Sequence, residues 1–166
     1  MKRIFPFFII LLSVILQSTI FQFIKVFDVV PSISLIFLVI FSIQFGEYYG
    51  GLLGLFLGLL TDILYVGFFG INTLIYFLLG YILGNFKENV YKEDYLTYYF
   101  AVGIMTVLYN TFFYIIIFFL QVEINSIINM IKPIIIEIVL NLILTYPILK
   151  LEFKVLNKMG IKLKYY

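Results

Sequence analysis

Two carboxylic acids lie well inside apolar segments of this 166-residue chain, and they are its strongest candidates for chemistry. Asp62 ends a glycine-rich segment, whereas Glu137 is followed by Asn141 and Thr145 at helical spacing, so those three share one face. An unpaired carboxylate in hydrocarbon costs on the order of several kcal/mol, so both acids must face protein or a water-filled cavity. They form either an ion or substrate site or hydrogen bonds that fix a helix bundle, and we favour the second interpretation for both.

Other polar groups stand near these acids, but the residues needed for common catalytic sites are missing. Asn110 is an intramembrane amide able to reach either acid, and Tyr109 and Tyr114 offer hydroxyl donors beside it. The chain has no His and no Cys, which removes the commonest metal ligand, the usual general base and any thiol nucleophile. We therefore expect no enzyme activity, no metal and no cofactor.

Small residues recur at every fourth position in one apolar segment: Gly46, Gly50, Gly54, Gly58 and then Asp62. On a helix this spacing makes a stripe along one side, and a glycine stripe lets a second helix approach until the backbones touch. A second pair with the same spacing is Gly80 and Gly84. We expect the following residues to pack against another helix or a partner: Gly50, Gly54, Gly58, Asp62, Gly80 and Gly84.

The elements that position these residues must be membrane helices. Hydrophobic residues make up 64% of the chain and charged residues 12%, with a mean hydropathy of +1.14, whereas soluble domains carry about 25% charged residues. The predicted fold class is an all-α polytopic membrane bundle with six spans: 4–24, 29–45, 49–66, 68–86, 96–120 and 133–151. Pro31 and Pro133 are expected in first turns. Tight turns at 46–48 and 67 leave open whether spans two and three both cross or form a re-entrant pair.

The basic residues orient these spans. With an even number of spans both termini share a side, and an N-in/C-in arrangement places nine basic residues inside: Lys2, Arg3, Lys87, Lys92, Lys150, Lys154, Lys158, Lys162 and Lys164. Only Lys25 and Lys132 then lie outside, which is a strong positive-inside bias. Because no small-residue cleavage site follows the first apolar run, we expect a retained span in the inner membrane rather than a signal peptide.

The last residues carry a pattern of their own. We divide the chain into a transmembrane bundle, 1–151, and a basic amphipathic cytoplasmic tail, 152–166. Lysines four apart mark one helical face that runs from the end of the last span into that tail: Lys150, Lys154, Lys158 and Lys162. Such a face either anchors the last span on an anionic leaflet or docks a cytoplasmic partner. The outer loop 121–132 alternates isoleucines with polar residues, which predicts a separate interfacial half-helix.

Several stretches together resemble the MreD family of rod shape-determining proteins over nearly the whole chain. They are LQST at 16–19, PSISL at 31–35, the glycine-rich stretch 50–84, and the last span from Lys132-Pro133 through Asn141 to Tyr146-Pro147. Family members often carry Pro-Asp at the start of the second span, so Ser32 departs from that pattern. The order and spacing of these stretches carry the resemblance more than any single motif does.

The resemblance implies a non-enzymatic membrane subunit of the bacterial elongation machinery, which determines rod shape through peptidoglycan synthesis. Proteins of this kind accompany MreC, a periplasmic coiled-coil scaffold. They work with the actin-like MreB filament and with the RodA glycosyltransferase and its transpeptidase. We expect these partners and the lipid bilayer, but no nucleic acid, and a homo-oligomer stays open. We hypothesise that the glycine stripe ending at Asp62 organises the bundle that receives the anchor helix of an MreC-like partner.

A second interpretation belongs to another class of protein. In architecture, MreD-like chains resemble the six-span substrate-binding subunits of energy-coupling-factor vitamin transporters. Those subunits usually carry small alanine-based motifs on the first span, where this chain has only Ser13 and Ser18 as small residues. The alternative function is therefore a substrate-binding membrane subunit of a small-molecule transporter, which we rank below the scaffold-binding function.

Overall fold

A computed structural model describes residues 4–20, 23, 25–65, 68–88, 95–121 and 127–158. This described part of the chain contains α-helices and no β-strand. The helices are α1 Phe5–Thr19, α2 Ile33–Phe45, α3 Glu47–Leu64, α4 Ile71–Asn85, α5 Tyr95–Phe119 and α6 Ile127–Lys158, with a short 3₁₀ turn at Phe86–Glu88. The predicted all-helical class is confirmed, and the described residues form six α-helices. A membrane explains this choice, because in hydrocarbon each backbone N–H and C=O must be satisfied within its own segment.

Three of the six helices are long and apolar enough to cross a membrane: Glu47–Leu64, Tyr95–Phe119 and the part of α6 at Ile131–Lys154. The other three are shorter than we predicted, with 15 residues in α1, 13 in α2 and 15 in α4. At about 1.5 Å per residue, α2 is about 20 Å long, less than the roughly 30 Å of a hydrocarbon core.

The second helix starts later than predicted, and its proline explains the difference. Phe27 and Asp28 have positive φ angles of 51° and 64°, within a turn closed by backbone hydrogen bonds between Val26 and Val29. Pro31 follows this turn and precedes the helix, which begins at Ile33. Because proline has no N–H and restricts the residue before it, it ends the turn rather than opening the helix in its first turn.

The second helix is the centre of the bundle. Of its 13 residues, 11 are buried, and it contacts each of the other five helices. The largest fully buried side chains around it include Phe41 of α2, Ile10 of α1 and Tyr98 of α5. A single glycine, Gly46 with φ of +95°, separates α2 from α3, so the two helices form a tight hairpin. A residue with a side chain is strained at this φ.

Two expectations about the start of the sixth helix were wrong. Pro133 lies inside α6 rather than in its first turn, and residues 127–132 belong to the same helix rather than to a separate interfacial half-helix. One backbone hydrogen bond is lost at Pro133, whereas an irregular backbone in an apolar environment would leave several groups unsatisfied. At its other end α6 passes residue 151 without a break and ends at Lys158. The division between bundle and tail at 151 stays a prediction, and 159–166 lie outside the described residues.

Candidate functional site

A glycine seam joins α3 and α4 along their length. We give this name to Gly50, Gly54 and Gly58 of α3 together with Gly80 and Gly84 of α4. A Cβ atom added at Gly54 would overlap the carbonyl oxygen of Tyr76. One added at Gly58 would overlap the backbone of Thr73, and Gly50 and Gly80 meet each other in the same way. Backbone therefore touches backbone along the glycine seam, which only glycine allows.

The glycine seam brings the N-terminus of α4 close to the C-terminal end of α3. Asp62, near the end of α3, caps the N-terminus of α4. The two carboxylate oxygens of Asp62 accept five hydrogen bonds from α4 and its N-cap residue. The donors are the backbone N–H groups of Gly70, Asn72 and Thr73 at 3.0–3.2 Å, the Asn72 amide at 2.9 Å and the Thr73 hydroxyl at 2.6 Å. A helix N-terminus has free N–H groups and a partial positive charge, so it is a natural partner for a carboxylate.

The network continues from α4 to α5 through a tyrosine. The hydroxyl of Tyr109 donates to the side-chain oxygen of Asn72 at 2.6 Å. The rings of Tyr109 and Tyr76 are stacked, with centroids 4.8 Å apart. Asn72 thereby uses its amide nitrogen on Asp62 and its amide oxygen on Tyr109. The Tyr114 ring packs edge-on against Phe113 instead.

A second group of hydrogen bonds joins α5 and α6 to the start of α2. The Asn110 amide donates to Glu137 at 2.9 Å, and the Asn141 amide donates to the Thr106 hydroxyl at 3.0 Å. Asn141 also accepts a hydrogen bond of 2.8 Å from the backbone N–H of Ser32. We call all of these groups the polar network: Ser32, Asp62, Asn72, Thr73, Thr106, Tyr109, Asn110, Glu137 and Asn141.

The structure thus brings most of the predicted polar residues to one end of the bundle, but in two groups. Asn110 reaches Glu137, and Tyr109 reaches the Asp62 group. Thr145 is fully buried, and its hydroxyl donates to the Asn141 carbonyl of its own helix. The donors and acceptors of the polar network are mostly directed at one another, an arrangement that fixes helix positions rather than presenting reactive groups to a substrate.

The lysine face of α6 is partly described. Lys150 and Lys154 are exposed, as expected for a face outside the bundle. The side chain of Lys158 and all of Lys162 lie outside the described parts of the chain. The role of this face as a cytoplasmic surface stays a prediction.

An apolar groove of about 570 Å³ runs between α5 and α6 on the outside of the bundle. Residues lining it include Tyr99, Phe100, Gly103, Val107, Ile138 and Leu142. Gly103 is one of these lining residues, and the space beside it is open, because a Cβ atom added there would meet only the Leu142 side chain, at 3.9 Å. This glycine was not among the predicted packing residues, since no second glycine lies four positions away.

Sequence reasoning also missed a buried acid at the other end of the bundle. The sequence singles out Asp62 and Glu137 within spans and leaves Glu152 at the end of the last one. Glu152 does lie close to the end of the candidate span, at Lys154, but its side chain is only 3% exposed, and this burial was not predicted. A signal existed, because Glu152 continues the helical face of Asn141 and Thr145 at seven-residue spacing from Thr145.

A comparison with known protein families identifies the family of this chain. The family model described as rod shape-determining protein MreD matches residues 1–155 of the chain. The chain belongs to the MreD family. The resemblance inferred from the sequence is therefore confirmed, and the chain is a rod shape-determining membrane protein with transmembrane helices. MreD proteins determine shape and are not a known enzyme family.

No curated protein and no solved structure matches this MreD-family chain. Within the described residues there is no group of three or more His, Cys, Asp or Glu side chains able to hold a metal ion. Because no solved structure matches, the resemblance to substrate-binding subunits of energy-coupling-factor transporters stays an expectation.

Proposed function

We propose that this chain is a non-enzymatic, multi-pass subunit of the inner-membrane complex that elongates the bacterial cell wall. In this proposal it binds and positions an MreC-like scaffold, alongside an MreB-like filament, a RodA-like glycosyltransferase and its transpeptidase. Membership of the MreD family supports the role in cell shape. The apolar helices support a location within the membrane, where the anchor helix of a scaffold would lie.

The groove between α5 and α6 is the observation that carries the binding step. The glycine seam is already filled by α4, so its glycines organise the bundle instead of contacting the partner directly. The groove, in contrast, is concave, apolar and open on the outside of the bundle, and Gly103 permits close approach within it. Small residues at a concave site are typical of helix association in membranes. We propose that the single anchor helix of the MreC-like partner packs here.

Filling the groove tests this proposal. We expect Gly103→Leu to reduce co-purification of the MreC-like partner at least tenfold from mild detergent, while the variant reaches normal membrane levels. Leu74→Phe is the matched control, because Leu74 is 53% exposed on α4, a different face of the bundle, and should leave co-purification unchanged. Undiminished co-purification of Gly103→Leu would contradict the groove as the binding surface. Recovery of an ATPase module with a vitamin-sized ligand would favour the transporter alternative.

The proposed orientation has both termini in the cytoplasm. It is supported by the nine basic residues that an even number of spans collects on one side. A cytosolic reporter fused after Tyr166 should be active, and a periplasmic reporter at the same position should be silent. The reverse pattern would contradict the six-span, N-in/C-in topology.

A further inference from the structure

Two buried polar side chains lie at the end of the bundle opposite the polar network, and neither makes a hydrogen bond of normal length. Glu152 of α6 is 3% exposed and Gln44 of α2 is 6% exposed. Neither carboxylate oxygen of Glu152 and neither polar atom of the Gln44 amide has a hydrogen-bond partner. Buried polar atoms in native proteins are nearly always paired, so the three acceptor oxygens without a partner at this place indicate a missing group.

Three helices bring oxygen atoms to this place. The Gln44 amide of α2 lies beside the Glu152 carboxyl of α6, and the Tyr98 hydroxyl of α5 lies near both. Tyr98 is fully buried, and its ring packs edge-on against Phe153. We call Gln44, Tyr98 and Glu152 the inner triad. Its side-chain oxygens are a carboxylate, an amide and a phenol, which are ligands preferred by hard cations such as Na⁺ and K⁺.

The described surroundings of Glu152 favour a positive charge, but no described basic side chain supplies one. Gln44 is the penultimate residue of α2, so the triad lies at the C-terminal end of that helix, where the helix dipole is negative. Lys87 is held at the same end, but its ammonium group donates to the Phe45 carbonyl at 3.2 Å. Lys150 and Lys154, on the same helix as Glu152, are exposed. No lysine or arginine in the described residues therefore neutralises the carboxylate.

We propose that the inner triad binds one monovalent alkali cation, Na⁺ or K⁺, which joins α2, α5 and α6. A single carboxylate balances a single positive charge, whereas a divalent ion would leave a net buried charge that is costly to hold. The three acceptor oxygens of Gln44 and Glu152 are closed off from solvent, which suits a small desolvated ion better than a lysine or arginine side chain from another protein. The ion binds the folded bundle, so it stabilises that state by mass action.

The test measures cation-dependent stability and binding of the full chain in detergent. At constant ionic strength, exchange of choline chloride for NaCl or KCl should raise the melting temperature saturably, by about 3 °C or more. Radioactive Na⁺ or a K⁺ analogue should bind at one ion per chain. Glu152→Gln should abolish both effects, while Glu137→Gln, the same change in the polar network, should leave them intact.

A second variant keeps the test decisive if Glu152→Gln alters folding. Gln44→Glu adds a second carboxylate, so the stabilising ion should change from monovalent to divalent, with Mg²⁺ or Ca²⁺ replacing Na⁺ or K⁺. Equal melting temperatures of the wild type in choline, sodium and potassium would overturn the proposal and assign a protonated carboxyl to Glu152. An equal cation shift in wild type and Glu152→Gln would also overturn it, because the ion would then bind elsewhere.

Discussion

The two ends of the bundle each bury a carboxylic acid among helices, but they treat it differently. Asp62 is 7% exposed and accepts five hydrogen bonds. Glu152 is 3% exposed, and its carboxylate oxygens accept none. Both side chains have little exposed surface, but the supply of hydrogen-bond donors is opposite at the two sites.

The difference arises from the part of a neighbouring helix that each acid meets. Asp62 faces the first turn of α4, where backbone N–H groups have no partner within the helix. Glu152 lies near the last turn of α2, where the free backbone groups are carbonyls that repel a carboxylate. The first acid is satisfied by the protein itself, whereas the second requires a positive group from outside.

The largest effect is expected where the glycine seam holds α4 against Asp62. Gly58→Leu should lower the free energy of unfolding by more than about 3 kcal/mol, because the side chain meets backbone that cannot move aside. A reduced yield of monodisperse protein in size-exclusion chromatography would reveal this loss of stability. Gly58→Ala and Gly103→Ala form a matched pair, since only the first places a Cβ atom against backbone. Equal stability of the two alanine variants would contradict the close contact in the seam.

Removal of the cap itself should have the next largest effect. Asp62→Ala leaves the N–H groups of Gly70, Asn72 and Thr73 without their acceptor, which should cost about 2–4 kcal/mol. Asp62→Asn keeps one side-chain acceptor and should lose less. The melting temperatures of the two variants in detergent show which of them is less stable. A melting temperature of Asp62→Ala at or above that of the wild type would show that the cap adds no stability.

The same change, from an acid to its amide, should alter stability in opposite directions at the two ends of the bundle. In choline buffer, Glu152→Gln should raise stability by about 1 kcal/mol, since it removes an unpaired buried charge, whereas Asp62→Asn should lower it. Melting temperatures of the two variants and the wild type, recorded side by side, measure the signs. A similar loss in both variants would mean that the protein satisfies Glu152 as fully as Asp62.

The smallest effect is expected within the polar network. Tyr109→Phe removes one hydrogen bond to Asn72 and keeps the stacked ring, so it should cost about 1 kcal/mol. The exposed Tyr81 on α4 provides the control, and Tyr81→Phe should be neutral. Thermal unfolding again measures the difference. An unchanged melting temperature of Tyr109→Phe would show that the hydrogen bond from α5 to the Asp62 group adds no stability.

Much of the fold follows from local sequence. The fifth helix was predicted at 96–120 and lies at Tyr95–Phe119, because hydropathy and helix length are properties of one continuous segment. The boundaries of α1, α2 and α4 were less accurate. Their ends depend on turns such as Phe27-Asp28, whose positive φ angles have no clear signal in composition.

The candidate site shows more clearly what could not be predicted from the sequence. Spacing placed Asp62 on the glycine stripe and Glu137, Asn141 and Thr145 on one face, but it assigned no partners. Asp62 pairs with residues 8 to 11 positions away, whereas Asn141 pairs with Ser32, 109 positions away. Periodicity can predict which residues share a face, but it does not predict which face of another helix they meet.

The helical membrane class and the MreD family could both be predicted from the sequence. Composition, hydropathy and glycine spacing act within a single segment, so they can be read without knowledge of the neighbours. Only the tertiary structure decided that α2 lies at the centre, that the glycine seam is filled by α4 and that Glu152 is buried. These features depend on which helices pack together. That choice is set by the summed packing and hydrogen bonding of residues distant in the chain, not by any one segment.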